Sequence, residues 1–141
     1  MRRQSRELAL KLLFQAEFTE PMKLDDLIQA QKVSPLSSSG KEDDLSPDAQ
    51  IYTKELVTGV RSHQPQIDSL LQQFSSHWKI DRMASIDRNL LRLAIYELKF
   101  SSNPLPPSIA INEAIELAKI YGGTDSSSFV NGILDQIARK S

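Results

Sequence analysis

Between Met83 and Phe100 the apolar residues Met83, Ile86, Leu90, Leu91, Leu93, Ala94, Ile95 and Leu98 recur at helical spacing, yet they spread over most of the helix circumference. A helix that is apolar on most sides must be covered on most sides. This segment therefore belongs at the centre of a packed bundle, with other elements laid around it. Those elements are helices too, because no β-branched run alternates with polar residues, while the 3.6-residue period returns along the chain. The fold class is all-α.

Local signals divide the rest. A first helix spans about residues 3–18 and stops before Pro21, since proline disfavours the α conformation in the residue before it. A short helix at 24–31 has Asp25 and Asp26 in its first turn, where the helix dipole favours acids. Residues 34–46 are Ser-rich and acidic, with too little apolar surface to order themselves, and are expected to form a mobile loop. Ser46-Pro47 is a cap followed by proline at the first helical position, and opens a helix carrying Ile51, Leu56, Val57 and Val60. The next helix begins near Pro65 with Ile67, Leu70, Leu71 and Phe74 on one face. After the central helix and the stop at Asn103-Pro104-Leu105-Pro106-Pro107, Ser108 is expected to cap a helix bearing Ile111, Ala114, Ile115, Ala118 and Tyr121. Gly122-Gly123 end it, residues that accept left-handed dihedrals at no Cβ cost. The last helix starts at Thr124 or Asp125 and carries Phe129, Val130, Ile133, Leu134 and Ile137, with Arg139 and Lys140 at its negative end. The expectation is one domain over residues 1–141, a single-domain bundle of about seven helices.

A chain of 141 residues buries ~68% of its unfolded surface and needs no staples. It carries 40% hydrophobic and 25% charged residues, and no run nears the roughly 18 apolar residues of a membrane span. The basic start, Met1 to Glu7, is not followed by a signal-peptide core, since Lys11, Gln15 and Glu17 interrupt it. A cytoplasmic protein without membrane association is expected. With no cysteine there is no disulfide or thiolate site, and His63 and His77 lack a partner at metal-ligand spacing. Asp87, Glu97, Glu113 and Glu116 accompany no nucleophile beside a histidine and no phosphate loop, so they read as structural or partner-facing. No catalytic residue, metal or cofactor is expected.

The net charge of −1 conceals an uneven distribution. Residues 1–11 carry Arg2, Arg3, Arg6 and Lys11 against Glu7 alone. On a wheel, Leu8, Ala9, Leu12, Leu13 and Ala16 face the bundle, while Arg3, Arg6 and Lys11 surround Leu10 and Phe14 on the opposite arc. Forked cations beside an aromatic ring suit phosphate and unpaired bases of single-stranded RNA. The alternative is that Leu10 and Phe14 pack under the next helix and the arginines are solvated. Asp125-Ser126-Ser127-Ser128 either holds a phosphate or caps the last helix. Gly132, inside a strong helical pattern, implies close approach either of a neighbouring helix or of a ligand backbone. Arg88, Arg92 and Lys99 either pair with neighbours or offer a protein-binding face.

Four stretches carry a family resemblance: Arg2-Arg3 with Arg6 to Leu10; Trp78 with Ile86 to Leu98; Ile111 to Lys119; and Phe129-Val130-Asn131-Gly132-Ile133-Leu134. Together, in this order, they resemble the NusB family of transcription antitermination factors over nearly the whole chain. The resemblance implies a helical bundle that binds the boxA element of nascent RNA with the ribosomal protein NusE, within the RNA polymerase antitermination complex of ribosomal RNA operons. It places RNA contact on Arg2, Arg3 and Arg6, with Phe14 adjoining and Asp125 and Phe129 extending the surface, and partner contact on Asp87 and Arg92. Phe14 stands where the family commonly has tyrosine, and Gln4 interrupts the basic run. Some family members dimerise, so the resemblance leaves monomer and homodimer open. A noncatalytic domain of ribosomal RNA cytosine methyltransferases has a similar fold and is the alternative; it expects a longer chain with a catalytic cysteine pair, which this sequence lacks.

Overall fold

The structure, a computed structural model, describes residues 2–17, 46–75 and 79–140. The expected helix at 24–31 and residues 34–45 of the expected loop lie outside the described residues, as do His77 and Trp78. Six α-helices are described, and no strand occurs among the described residues: α1 (Arg2–Glu17), α2 (Pro47–Ser62), α3 (Gln64–Phe74), α4 (Ser85–Ile95), α5 (Pro107–Tyr121) and α6 (Ser126–Lys140). The chain forms two compact units, Met1–Thr58 and Gly59–Ser141, whose boundary falls within α2.

In the first unit α1 and α2 are joined by a hydrogen-bonded seam. The buried Ser5 hydroxyl donates to the Ala49 carbonyl at 2.9 Å, and Thr53 Oγ1 donates to the same oxygen at 2.8 Å. Ser46 caps α2 as expected, its hydroxyl accepting from the Ala49 N–H at 3.2 Å ahead of Pro47 at the first helical position. Leu56, Val57 and Val60 are buried, but Ile51 is 65% exposed. The wheel gives the reason, since at 100° per residue Ile51 lies opposite Val60.

In the second unit α4 is the centre, with α3, α5 and α6 packed against it and α6 also against α3 and α5. Every residue from Asn89 to Leu98 is buried, as the wide apolar arc requires. Each fully buried leucine or isoleucine here contributes about 1.5–3 kcal/mol. The expected helix at 83–100 is divided: a 3-10 turn (Ile80–Arg82) precedes it, α-helical geometry starts at Ser85, and the segment Tyr96–Phe100 widens into a π turn closed by the Ser101 N–H on the Tyr96 carbonyl at 2.9 Å. Arg88 bonds the 3-10 turn to α4, donating to the carbonyls of Ile80 at 3.0 Å and Met83 at 3.2 Å.

One local expectation is corrected. Pro106, not Ser108, occupies the cap position of α5, because Pro107 already supplies the fixed φ of a first helical residue and Ser108 falls inside the turn. Gly122 is extended (φ −93°, ψ 179°) and not left-handed. It is glycine for space: an added Cβ would collide with the Ser126 side chain and come within 2.8 Å of the Ala118 carbonyl.

Candidate nucleic-acid interface

The basic face of α1 divides in two. Arg6 is only 5% exposed, with its guanidinium 5.9 Å from the centre of the Tyr52 ring, and Leu10 is 1% exposed. Both belong to the packed side of the helix with Ser5, Ala9 and Leu13, so the expected outward placement of Arg6 and Leu10 is not what the structure has. Arg6 turns inward because the Tyr52 face offers a cation a partner that water on the outer side does not replace. Arg3, Lys11 and Phe14 remain half-exposed. Arg3 and Phe14 are eleven positions apart, three helical turns, so they share one line of surface with Lys11 beside it. The side chain of Arg2 lies outside the described residues, although its backbone begins α1. Tyr52 is the residue that sequence reading missed: nothing local pairs α1 with α2, whose Ser5 and Ala49 bond across 44 positions.

At the start of α6, Asp125 is exposed and its carbonyl accepts from the Phe129 N–H at 3.0 Å. Phe129 is half-buried, less covered than the expected core position. Ser126 is 5% exposed and its hydroxyl accepts from the Gly123 N–H at 2.8 Å, a bond that ties the first residue of α6 to the preceding turn. Gly132 is exposed and no described atom lies within 4 Å of a Cβ built on it, so no described helix approaches it closely.

The two positions read as partner-facing differ. Arg92 is 8% exposed, and its fork is taken by Asp68: Nε to Oδ1 at 2.8 Å and the second amine to Oδ2 at 3.0 Å. Its third nitrogen donates to Asn89 Oδ1 at 3.4 Å, and Asn89 in turn donates to the Ser85 carbonyl at 3.0 Å. Arg92 is thus turned inward, fastening α3 to α4, instead of presenting a surface. Asp87 is half-buried, and its Oδ1 is shut from solvent with no hydrogen-bond partner among the described residues. The Glu116–Lys119 pair forms at 3.2 Å on the surface of α5, where such a pair contributes only a few tenths of a kcal/mol. Among the described residues no group of three or more histidine or carboxylate side chains is placed to hold a metal ion, and no described helix is long and apolar enough to cross a membrane.

The sequence profile of the NusB family matches residues 3–139. The chain belongs to the NusB family. It is 47% identical over 138 residues to the transcription antitermination protein NusB of Bdellovibrio bacteriovorus, covering 98% of this chain and 95% of that protein. It is 45% identical over 137 residues to that of Myxococcus xanthus, covering 97% and 94%. Among solved structures, NusB of T. maritima superposes with a TM-score of 0.83 at 34% identity, covering 99% of this chain and 92% of that one. A structure of the antitermination factors NusB and NusE in complex with double-stranded RNA contains a chain of TM-score 0.80 at 26% identity, covering 99% and 97%.

Proposed function

We propose that this chain is a transcription antitermination factor that binds boxA-type single-stranded RNA together with NusE and supports read-through by RNA polymerase in ribosomal RNA operons. The observation that carries the reading is the match to NusB over nearly the whole length of both proteins, in sequence and in fold. The NusB–NusE–RNA complex among the structural neighbours supports the choice of partners. The methyltransferase-domain alternative has no observation in its favour. The protein acts in the cytoplasm, where nascent RNA is made, as a single RNA-binding domain over residues 1–141.

Within the first unit, Arg3 and Lys11 supply phosphate contacts with Arg2, and Phe14 supplies a ring on which an unpaired base stacks. Arg6 holds Tyr52 and acts as a positioning residue. Within the second unit, Asp125 accepts from a base edge and Phe129 stacks. Asp87, half-buried near the start of α4, accepts a donor from NusE, while Arg92 keeps α3 and α4 in place beneath that contact.

The test is binding to a boxA RNA and to a scrambled RNA, with and without NusE, at several salt concentrations. Partner-enhanced preference for boxA is expected. Arg3→Glu should weaken binding and lower the log–log salt slope by about 0.7, the value of one phosphate contact on a single strand. Equal weak binding to both RNAs, indifferent to NusE, refutes the reading.

A further inference from the structure

Gly132 stands inside α6, which continues for a further two turns to Lys140. Glycine at such a place costs about 1 kcal/mol relative to alanine, and structures that keep one normally show why. Two internal reasons are available, and neither applies. No described glycine has a positive φ, so the backbone does not require it. Nor does packing, since a Cβ on Gly132 would meet no described atom within 4 Å, whereas one on Gly59 would strike the Tyr96 ring. Among the described residues, nothing accounts for the missing side chain.

The surroundings indicate what comes there. One turn before and after Gly132 stand Ser128, Phe129, Asp135 and Gln136: a hydroxyl, a half-buried ring, a carboxylate and a carboxamide. Asp125, Phe129, Gly132 and Gln136 fall on one line of helix surface. Asp135 pairs with Arg139 at 3.1 Å, so this face offers no net cation to a phosphate. Its chemistry suits the ribose and base of an unpaired nucleotide, which present hydroxyls, amines and a π face.

We infer that Gly132 is a contact position of the RNA site: its bare backbone lets a nucleotide lie flat against α6, the base over Phe129 and the ribose beside Ser128 and Gln136. This rests on the RNA-binding reading above. The test is Gly132→Ala in the full chain, read by boxA RNA affinity with and without NusE and by thermal unfolding. The melting temperature should rise by about 2–4 °C while RNA affinity falls by about tenfold, opposite signs that a merely structural glycine cannot produce. The salt slope should stay unchanged, because no phosphate contact is lost. Gly132→Leu should lose more. Unchanged RNA affinity in Gly132→Ala overturns the inference, and so does a loss confined to NusE binding, which would assign the surface to the protein partner. Failure of the unaltered protein to prefer boxA RNA would instead remove the functional reading on which it rests.

Discussion

Asp68→Ala removes the partner of the most buried cation described in the second unit. The side chains of Arg92 and Asp68 are 10% and 26% exposed, and Arg92 donates two hydrogen bonds to that carboxylate. Breaking a fully buried pair by removing one member costs about 3–5 kcal/mol. Asp68 keeps a quarter of its surface in water, so the cost here should be smaller, about 2–3 kcal/mol. For a chain of this size that lowers the melting temperature by roughly 5–10 °C, measurable by circular dichroism. Replacing both members with apolar residues of similar volume, Arg92→Met with Asp68→Leu, should recover most of the loss, because neither charge is then left without the other. The double variant also separates two roles for Arg92. If the arginine only fastens α3 to α4, NusE affinity returns with stability; if its guanidinium touches the partner, stability returns and affinity does not. Additive losses in the cycle, with no recovery in the double variant, would refute the claim that the pair is coupled.

Two further substitutions test local packing. Ser46→Ala removes the hydroxyl that accepts the Ala49 N–H and should cost about 1 kcal/mol, read as a lower denaturant midpoint at unchanged slope. Gly59→Ala drives a methyl into the ring of the buried Tyr96 and should destabilise by about 1–3 kcal/mol, with Gly59→Ala and Gly132→Ala shifting the melting temperature in opposite directions.

The parts of the fold visible in the sequence are those whose causes are local or whose burial is complete. Ser46-Pro47 announces the start of α2 because both residues act on the turn they belong to. The centre of the second unit is visible because a helix covered on all sides has to be apolar nearly all round, as Leu90 to Ile95 are. Where the cause is chemical identity without geometry, the reading goes astray. Ile51 is apolar yet lies on the wet side of α2, and the spacing, not the residue type, carries that information. Gly122 signals a break correctly, but the pattern cannot distinguish a left-handed residue from one kept small by Ser126.

The site was legible to a different degree. Arg3, Arg6 and Lys11 are equally basic in the sequence, and a wheel puts them on one arc; Tyr52, supplied by a helix 44 positions downstream at the Ser5–Ala49 contact, decides which of them is withdrawn from solvent. The same holds for Arg92, whose partner Asp68 is 24 positions away and invisible to any local rule. A cation that finds an aromatic face or a carboxylate fork inside the fold offers less of its charge to solvent or to a phosphate. The structure thus separates two groups that sequence resemblance alone does not: Arg3, Lys11, Phe14, Asp125 and Phe129 keep at least part of their surface exposed, whereas Arg6 packs on Tyr52 and Arg92 joins α3 to α4.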